Sequence, residues 1–119
     1  MTASPRPTRG EVWRVNLGRA SGSELDRSRP AVVINSTAVN RLESRIIVPF
    51  TSWQDRFSTQ LNKIRVQATR RNGLSNESAA DVLQVRSVGL PRFVEKLGEL
   101  EPDAVDEIVA GVVVMLDFR

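Results

Sequence analysis

The stretch that decides the fold reads GSELDRSRPAVVIN and runs from Gly22 to Asn35. Its first half is rich in turn-forming residues, whereas Ala31–Ile34 is a short apolar run that predicts a buried strand. Pro30 stands at the junction, where its missing N–H costs least because the first residue of a strand need not donate to the ladder. Arg29 is therefore placed where a polar loop meets a rigid strand, a position at which functional side chains are often found.

The residue inventory restricts the chemistry. The chain has 119 residues and contains neither Cys nor His. This excludes disulfides, thiolate nucleophiles and thiolate metal sites, and it removes the usual general base and the commonest zinc ligand. Catalysis would have to use Arg, carboxylates, hydroxyls and groups of the substrate itself. We therefore predict no cofactor and no metal site.

The sequence also bears on location. It shows no apolar run long enough to span a bilayer and no pattern typical of a signal peptide. We accordingly expect a cytoplasmic protein that makes no contact with a membrane.

Charge is distributed unevenly along the chain. Residues 1–71 contain thirteen basic and five acidic residues, whereas residues 72–119 contain four basic and nine acidic ones. Such a split favours a face that binds a polyanion opposite an acidic, solvated face. Fifteen of the seventeen basic residues are Arg, the better bidentate partner for phosphate. A GC-rich genome would enrich Arg as well, so composition alone leaves both explanations open.

The N-terminal part predicts a tail followed by one domain. Residues 1–8 lack periodicity and predict a disordered tail, and residues 9–119 predict a single domain. Glu11–Leu17 alternates between polar and apolar side chains and predicts a first strand with one buried face, interrupted by a slip near Trp13. We expect Trp13 in the core rather than in a binding site.

Further strands are predicted downstream. Ile46–Phe50 is a β-branched run in which Pro49 favours a sheet edge or a strand end. Leu61–Val66 predicts a fourth strand, and Val82–Ser87, with alternating apolar and polar side chains, a fifth. Leu90–Leu100 fits a helical turn or a short strand.

The last element is predicted to be a helix. Glu101 is placed to cap it and Pro102 suits its first position. One apolar face consists of Val105, Ile108, Val109, Val112 and Leu116. A strand is the competing interpretation because of the consecutive valines. Strands followed by a helix predict a mainly β protein, a small, strongly bent antiparallel barrel with a packed C-terminal α-helix.

The central stretch resembles a known family. Gly-Ser-Glu, four residues, and then Arg-Pro-Ala-Val-Val-Ile is similar to the signature of the MazF/PemK toxins, which are endoribonucleases of type II toxin–antitoxin pairs. Other blocks are similar in the same order: Arg9–Trp13, Ile47–Ser52, Arg70–Leu74 with Ser78, Val82–Ser87 and Leu116–Phe118. The resemblance implies the SH3-like, MazF/CcdB-type plasmid toxin fold.

The resemblance also implies an activity. It implies metal-independent cleavage of single-stranded RNA (mRNA) at short specific sequences, by attack of a 2′-hydroxyl that leaves a 2′,3′-cyclic phosphate and a 5′-hydroxyl. Arg29 and Thr51 fall on the family's catalytic positions, and Glu24 on a loop acid. We expect Arg29 to stabilise charge on the phosphorane, Thr51 to position the substrate and Glu24 to act as base. Structural roles stay open for two of them, since Glu24 can pair with a loop Arg and Thr51 can simply end a strand.

Further residues are predicted to bind RNA. They are Gly22, Ser23, Arg27, Asn35, Ser52, Trp53, Ser78, Gln84, Arg86 and Ser87. Trp53 and Phe57 offer a stacking surface for bases, and the alternative is that they form part of the core. Gln84, Arg86 and Ser87 contact RNA or simply face solvent. Leu25 replaces the family's usual Gln, which puts one base contact in doubt.

Partners follow from the same resemblance. It implies a homodimer and a cognate, MazE-like antitoxin whose acidic flexible segment occupies the RNA groove. Two other functions are compatible with a basic barrel: a gyrase-poisoning toxin and a non-catalytic RNA-binding protein. The gyrase class depends on a Trp close to the chain terminus, whereas this chain ends in Leu-Asp-Phe-Arg.

Overall fold

The computed structural model describes residues 6–18 and 28–117. Seven strands and one α-helix lie within these ranges, joined in part by short 3₁₀ turns. In chain order they are β1 (Glu11–Asn16), β2 (Ser28–Val33), β3 (Ser44–Ser52), β4 (Lys63–Val66), β5 (Ser78–Asp81), β6 (Arg86–Gly89), β7 (Phe93–Glu99) and α1 (Pro102–Met115).

The strands form one antiparallel sheet in the order β4-β5-β3-β2-β1-β7, with β6 added to β3. A mainly β fold with a C-terminal helix is thereby confirmed. The terminal strands of this path, β4 and β7, do not pair with each other. The described strands thus form an open sheet, so the predicted bent antiparallel barrel is not closed.

β3 is the central strand, and it changes partner along its length. Ser44–Ile47 pairs with β6, Ile47–Pro49 with β2 and Phe50–Ser52 with β5. Pro49 lies between the segment that pairs with β6 and the segment that pairs with β5, in the middle of a nine-residue strand. The expectation of an edge or a strand end at Pro49 is therefore wrong. What tolerates the missing N–H is the change of partners rather than a free edge.

The first strand buries both of its faces. Val12 packs in the cluster that lies under α1, whereas Trp13 and Val15 pack in a second cluster on the other side of the sheet. Register shifts in the β1–β7 pairing flank Trp13 and explain the irregular alternation. The prediction of one buried face is wrong, but Trp13 is confirmed as core, packed edge-to-face against Phe93.

The second half of the sheet departs most from expectation. Val82–Gln84 forms a 3₁₀ turn that Asp81 caps, so the predicted strand Val82–Ser87 is wrong. The chain forms a strand only afterwards, at β6. Leu61 precedes β4 and is 75% exposed, so it is not part of the predicted fourth strand.

The C-terminal helix is confirmed. Pro102 is its first residue and Glu101 its N-cap, and Val105 and Ile108 are buried against the sheet. Leu116 lies beyond the end of α1 and is largely exposed, so it does not belong to the buried face. At fourteen residues α1 is too short to cross a membrane, and the described ranges contain no other α-helix.

Part of the predicted N-terminal tail is packed. Pro7 is fully buried, and its carbonyl accepts a hydrogen bond from Arg45 Nε at 2.6 Å. The Arg45 guanidinium is buried too and is satisfied by carbonyls of the neighbouring loop. Burial lowers the pKa of Arg45, as does the nearby charge of Arg6. The packed part of the domain therefore begins before residue 9, within the predicted tail of residues 1–8. Residues 1–5 lie outside the described ranges.

Candidate active site

The site lies where β2 and β3 separate. Their last paired residues are Ala31 and Pro49. Two residues further along each strand, the same register would set Arg29 opposite Thr51. This pairing is not made: β2 continues to pair only with β1 there, with Arg29 opposite Val15, and β3 pairs with β5, with Thr51 opposite Ala79. The two strands therefore separate at this point and leave a cleft between them.

Two cavities occupy this cleft, and together we call them the groove. The larger has a volume of about 450 Å³ and the smaller about 240 Å³. Both are lined by Arg29, Phe50 and Thr51. The two residues that the resemblance marks as catalytic are thus brought together on the ridge that the cavities share.

Arg29 is available for a ligand. Its side chain is exposed and makes no hydrogen bond or ion pair with any residue in the described ranges. Thr51 is half-buried, and its hydroxyl likewise has no protein partner among these residues. Both groups lie on strands, so their backbone positions are fixed while their polar atoms remain free.

The larger cavity is strongly basic. Besides Arg29 it is lined by Arg56, Lys63 and Arg86, against Asp81 as the one carboxylate among the described lining residues. Asp81 is fully engaged: its Oδ1 accepts hydrogen bonds from Asn62 and from the Leu83 N–H, and its Oδ2 lies 3.7 Å from Lys63 Nζ. The charges of Lys63 and Asp81 cancel each other. The guanidinium groups of Arg29, Arg56 and Arg86 then give the cavity a positive surface suited to phosphate.

The smaller cavity is mainly lined by neutral polar groups. Ser52 and Ser78 line it together with Asn76. Asn76 donates from Nδ2 to Ser52 Oγ at 3.4 Å, and Ser78 Oγ donates to the Asn76 carbonyl at 2.9 Å. Arg14 also reaches this cavity, but its guanidinium pairs with Glu95 at 3.3 Å. This end of the groove is better suited to hydrogen bonding than to binding charge.

The structure brings four of the predicted RNA-binding residues to the groove, namely Ser52, Ser78, Gln84 and Arg86. Gln84 is on the 3₁₀ turn and Arg86 begins β6, and both are exposed. Ser87 also lies on β6 and is exposed, but it lines neither cavity.

Asn35, also predicted to bind RNA, has its side chain engaged in hydrogen bonds within the protein. It is 3% exposed, its Oδ1 accepts from the Ile46 N–H, and its Nδ2 donates to the Ser36 carbonyl and to Asn40. These bonds join the end of β2 to β3 and use the polar atoms of the side chain. Because it also lies away from both cavities, Asn35 leaves the set of residues that we propose for RNA binding.

The two aromatic residues behave differently from each other. Phe57 is buried and lines the larger cavity. Trp53 packs edge-to-face against it, with the two ring centres 5.7 Å apart. The guanidinium of Arg65 lies 4.7 Å from the Trp53 ring centre. One face of Trp53 is therefore already covered by a cation, and the ring lines neither cavity. Both residues support the loop after β3.

Four predicted site residues, Gly22, Ser23, Glu24 and Arg27, lie outside the described ranges, as does Leu25. In the sequence they directly precede Ser28 and Arg29.

Sequence reasoning missed Arg56 and Lys63 as groove residues. Arg56 reaches the larger cavity from a 3₁₀ turn, Asp55–Thr59, in which Phe57 is buried, and Lys63 reaches it from the start of β4. A lone Phe in a polar loop between two basic residues was the available signal. Among the described residues, no cluster of three or more acidic side chains could hold a metal ion.

Comparison with known proteins agrees with this geometry. Residues 8–116 match the family model described as PemK-like, MazF-like toxin of type II toxin–antitoxin system. The chain belongs to the PemK/MazF family.

Its relatives within the family match over nearly their whole length. Endoribonuclease MazF9 of Mycobacterium tuberculosis is 29% identical over 116 residues, which cover 92% of this chain and 96% of the relative. Endoribonuclease EndoA of Bacillus subtilis is 27% identical over 113 residues, covering 92% and 97%.

Solved structures of PemK/MazF toxins share the fold. MazF from Deinococcus radiodurans aligns with a TM-score of 0.75 at 22% identity and covers 96% of this chain and 99% of its own. A mycobacterial endoribonuclease in complex with its cognate antitoxin aligns with a TM-score of 0.73 at 19% identity, covering 95% and 97%.

Proposed function

We propose that this PemK/MazF chain is a toxin endoribonuclease that cleaves single-stranded RNA, including mRNA, at short specific sequences. The observation that carries the proposal is the placement of Arg29 and Thr51 on the ridge between two cavities of a basic groove, with polar groups that no other described residue engages. The names of the two relatives, both endoribonucleases, support the same activity.

The reaction uses the nucleophile that RNA itself carries. The 2′-oxygen of one nucleotide attacks the adjacent phosphorus, and its proton passes to a base. The bond from phosphorus to the 5′-oxygen of the next nucleotide then breaks, and that oxygen takes up a proton. The products are a 2′,3′-cyclic phosphate and a 5′-hydroxyl. The protein needs no nucleophile of its own, which suits a chain without Cys or His.

Arg29 supplies the electrostatic contribution. Attack on phosphorus concentrates negative charge on the non-bridging oxygens, and a guanidinium donates two parallel charge-assisted hydrogen bonds to such a group. Because Arg29 is on β2 and its side chain has no partner in the described ranges, its backbone is fixed and its donors are available to the substrate. A guanidinium is a poor proton donor at neutral pH, so proton transfer is the secondary role of Arg29.

Thr51 is the positioning group, and Glu24 the candidate base. The Thr51 hydroxyl, on the opposite strand, hydrogen-bonds the attacking 2′-hydroxyl or a non-bridging oxygen. The carboxylate that lines the groove among the described residues, Asp81, is held by Lys63 and two N–H groups. This leaves the base to the loop before Arg29, where the family resemblance marks Glu24.

Partners follow from the family. We propose a homodimer that binds single-stranded RNA in the groove, acts in the cytoplasm, and is neutralised by a cognate antitoxin with an acidic flexible segment. The basic larger cavity is complementary to such a segment, because its guanidinium groups bind carboxylates as readily as phosphates.

The test is direct. The purified chain is incubated with a mixed RNA pool in EDTA, and the 5′ ends of the fragments are sequenced. We expect cleavage at one short motif, with 5′-hydroxyl ends. Intact RNA, or fragments only after a divalent metal is added, would contradict the proposed chemistry. Tight, salt-sensitive binding without any product would favour a non-catalytic RNA-binding protein.

A further inference from the structure

We propose that the larger cavity of the groove is a phosphate subsite for a nucleotide that flanks the cleaved bond, with Arg56 as its principal ligand and Arg86 facing it. The inference rests on the proposed function and extends it to a second phosphate. It gives Arg56, which neither the sequence motifs nor the family resemblance marks, a role in holding the substrate.

The charges in the cavity assign this role. Lys63 is neutralised by Asp81, at 3.7 Å, and also contacts Gln60 Oε1 at 3.2 Å. Arg29 is assigned to the cleaved phosphate. Arg56 and Arg86 then remain as the uncompensated cations among the described lining residues. Two guanidinium groups in addition to Arg29 are more than one phosphate needs, and they call for a second anion.

Arg56 is held in place before any ligand binds. Its Nε donates to Gln54 Oε1 at 2.8 Å, and its guanidinium lies 5.0 Å from the centre of the Phe57 ring. These contacts use one N–H and one face of the group, and the terminal N–H groups stay free for an anion. A planar donor already fixed in orientation loses less side-chain entropy on binding.

Arg86 has a comparably open position. Its one hydrogen bond to a described residue is a long contact, at 3.5 Å, to the Leu17 carbonyl. Phe57 contributes a rigid apolar wall, since it is buried and is supported edge-to-face by Trp53. A volume of about 450 Å³ accommodates a nucleotide-sized group beside Thr51.

Phosphate fits the cavity better than a base edge does. Gln54, a possible base reader, has its amide oxygen occupied by Arg56, and both oxygens of Asp81 are engaged. The free groups are mainly donors with positive charge. The cavity is continuous with the Arg29–Thr51 ridge, so an RNA strand that places its cleaved phosphate there carries the next phosphate into it.

The experiment couples a change in the protein to a change in the RNA. An oligonucleotide containing the mapped cleavage motif is made as a set in which each flanking phosphate in turn becomes an uncharged methylphosphonate. Single-turnover kcat/KM is measured for the wild-type chain and for Arg56→Gln, Arg86→Gln and Arg41→Gln. Arg41 is the matched control, because it is an exposed Arg on the 3₁₀ turn after β2 and lines neither cavity.

At one flanking position we expect the methylphosphonate to lower the wild-type kcat/KM by about tenfold. The same replacement should have a clearly smaller effect in Arg56→Gln and in Arg86→Gln, because each variant has already lost one of the two contacts, whereas Arg41→Gln should match the wild type. The log–log salt dependence of binding should also become shallower in Arg56→Gln by about 0.7, the value for one contact on a single strand.

The subsite would be overturned if, at every flanking phosphate, the losses of kcat/KM caused by the protein variant and by the methylphosphonate simply multiplied. Unchanged RNA kinetics together with weaker inhibition of Arg56→Gln by poly-glutamate would do so as well, by assigning the cavity to an acidic peptide. If the mixed RNA pool yields no cleavage motif, the proposed function fails, and the methylphosphonate set is built on an oligonucleotide that the wild-type chain binds. The same set of oligonucleotides, measured by affinity, then decides on the phosphate subsite alone.

Discussion

Arg29 on β2 and Thr51 on β3 line the same two cavities, just beyond the point where the two strands stop pairing. Beyond that point β2 keeps its pairing with β1 at Arg29, β3 pairs with β5 at Thr51, and neither side chain has a polar partner among the described residues. The divergence creates the groove and holds two catalytic candidates on its central ridge. The same feature of the sheet therefore accounts for both the shape of the site and its chemistry.

Removing the guanidinium of Arg29 should abolish most of the activity. We expect Arg29→Ala to lower kcat by about 10²–10³, the usual effect of losing one donor that stabilises transition-state charge. Arg29→Lys should recover only part of the rate, because an ammonium lacks the bidentate geometry. The measurement is single-turnover RNA cleavage, with Arg41→Ala as a control for charge. A near-wild-type rate in a folded Arg29→Ala would remove Arg29 from the mechanism.

The Thr51 hydroxyl can be tested separately from its bulk. Thr51→Val keeps the shape of the side chain on β3 and removes the oxygen, and we expect kcat to fall by about tenfold or more. Thr51→Ser keeps the hydroxyl and should retain most of the rate. Equal rates in the two variants would indicate that Thr51 only ends the strand. Thermal melting of both proteins checks that the sheet is intact.

The turn that borders the smaller cavity should be sensitive to a single methyl group. Gly73 has a φ of +72°, and a Cβ built there would lie 2.0 Å from the Leu97 carbonyl oxygen of β7. We expect Gly73→Ala to lower the free energy of unfolding by about 2–4 kcal/mol, through backbone strain and overpacking. Urea denaturation measures this change.

Gly89 offers a matched control for the Gly73 experiment. A Cβ at Gly89 would meet its nearest neighbour, Pro91 Cδ, at an ordinary distance of 3.6 Å. Gly89→Ala should therefore change stability by less than about 1 kcal/mol. A similar loss in both variants would mean that the close approach of Gly73 to β7 does not matter.

Glu77 should make the free energy of unfolding depend on pH in the acidic range. The hydrogen bond from Arg65 lowers the pKa of Glu77 below its ordinary value of 4.5, with further contributions from the charge of Arg65 and from Gln67. A carboxyl with a depressed pKa in the folded state stabilises the protein above its unfolded-state pKa, and this stabilisation is lost as the pH falls through the folded-state pKa. Glu77→Gln should thus be less stable than the wild type at neutral pH.

The difference should shrink as the pH falls below about 4.5. Urea unfolding of both proteins at neutral and acidic pH measures it. Glu107→Gln serves as the control, because Glu107 is exposed on α1 and makes no hydrogen bond or ion pair with the described residues. A constant gap between Glu77→Gln and the wild type across the pH range would argue against the Arg65–Glu77 contact.

The sequence predicted the elements whose pattern is local. α1 follows from Glu101-Pro102 and the spacing of Val105 and Ile108, and packing outweighed the low helix propensity of its valines and glycine. Gly111 lowers helix propensity but lets α1 pack closely on β4, since a Cβ there would lie 2.6 Å from Ile64 Cδ1 and would make that side chain shift. The apolar run after Pro30 likewise predicted β2, although the strand begins earlier than expected, at Ser28, and so includes Arg29 and Pro30.

What was not predicted depends on a side-chain cap and on burial in the folded chain. Val82–Gln84 has the composition of a strand, but Asp81 caps a 3₁₀ turn there through the Leu83 N–H. Arg56 reaches the groove only because Phe57, in a polar loop, is buried. The alternation of polar and apolar residues over a short stretch of sequence reveals neither the cap nor the burial of that loop.

The most direct test of the account is a single 2′-deoxy substitution at the nucleotide on the 5′ side of the mapped cleavage bond. The nucleophile is then missing, while every phosphate and base contact is retained. We predict that the wild-type chain binds this oligonucleotide with nearly unchanged affinity and leaves it intact, whereas the all-ribose strand yields a 2′,3′-cyclic phosphate by mass spectrometry. Cleavage of the deoxy-substituted bond would contradict the central claim.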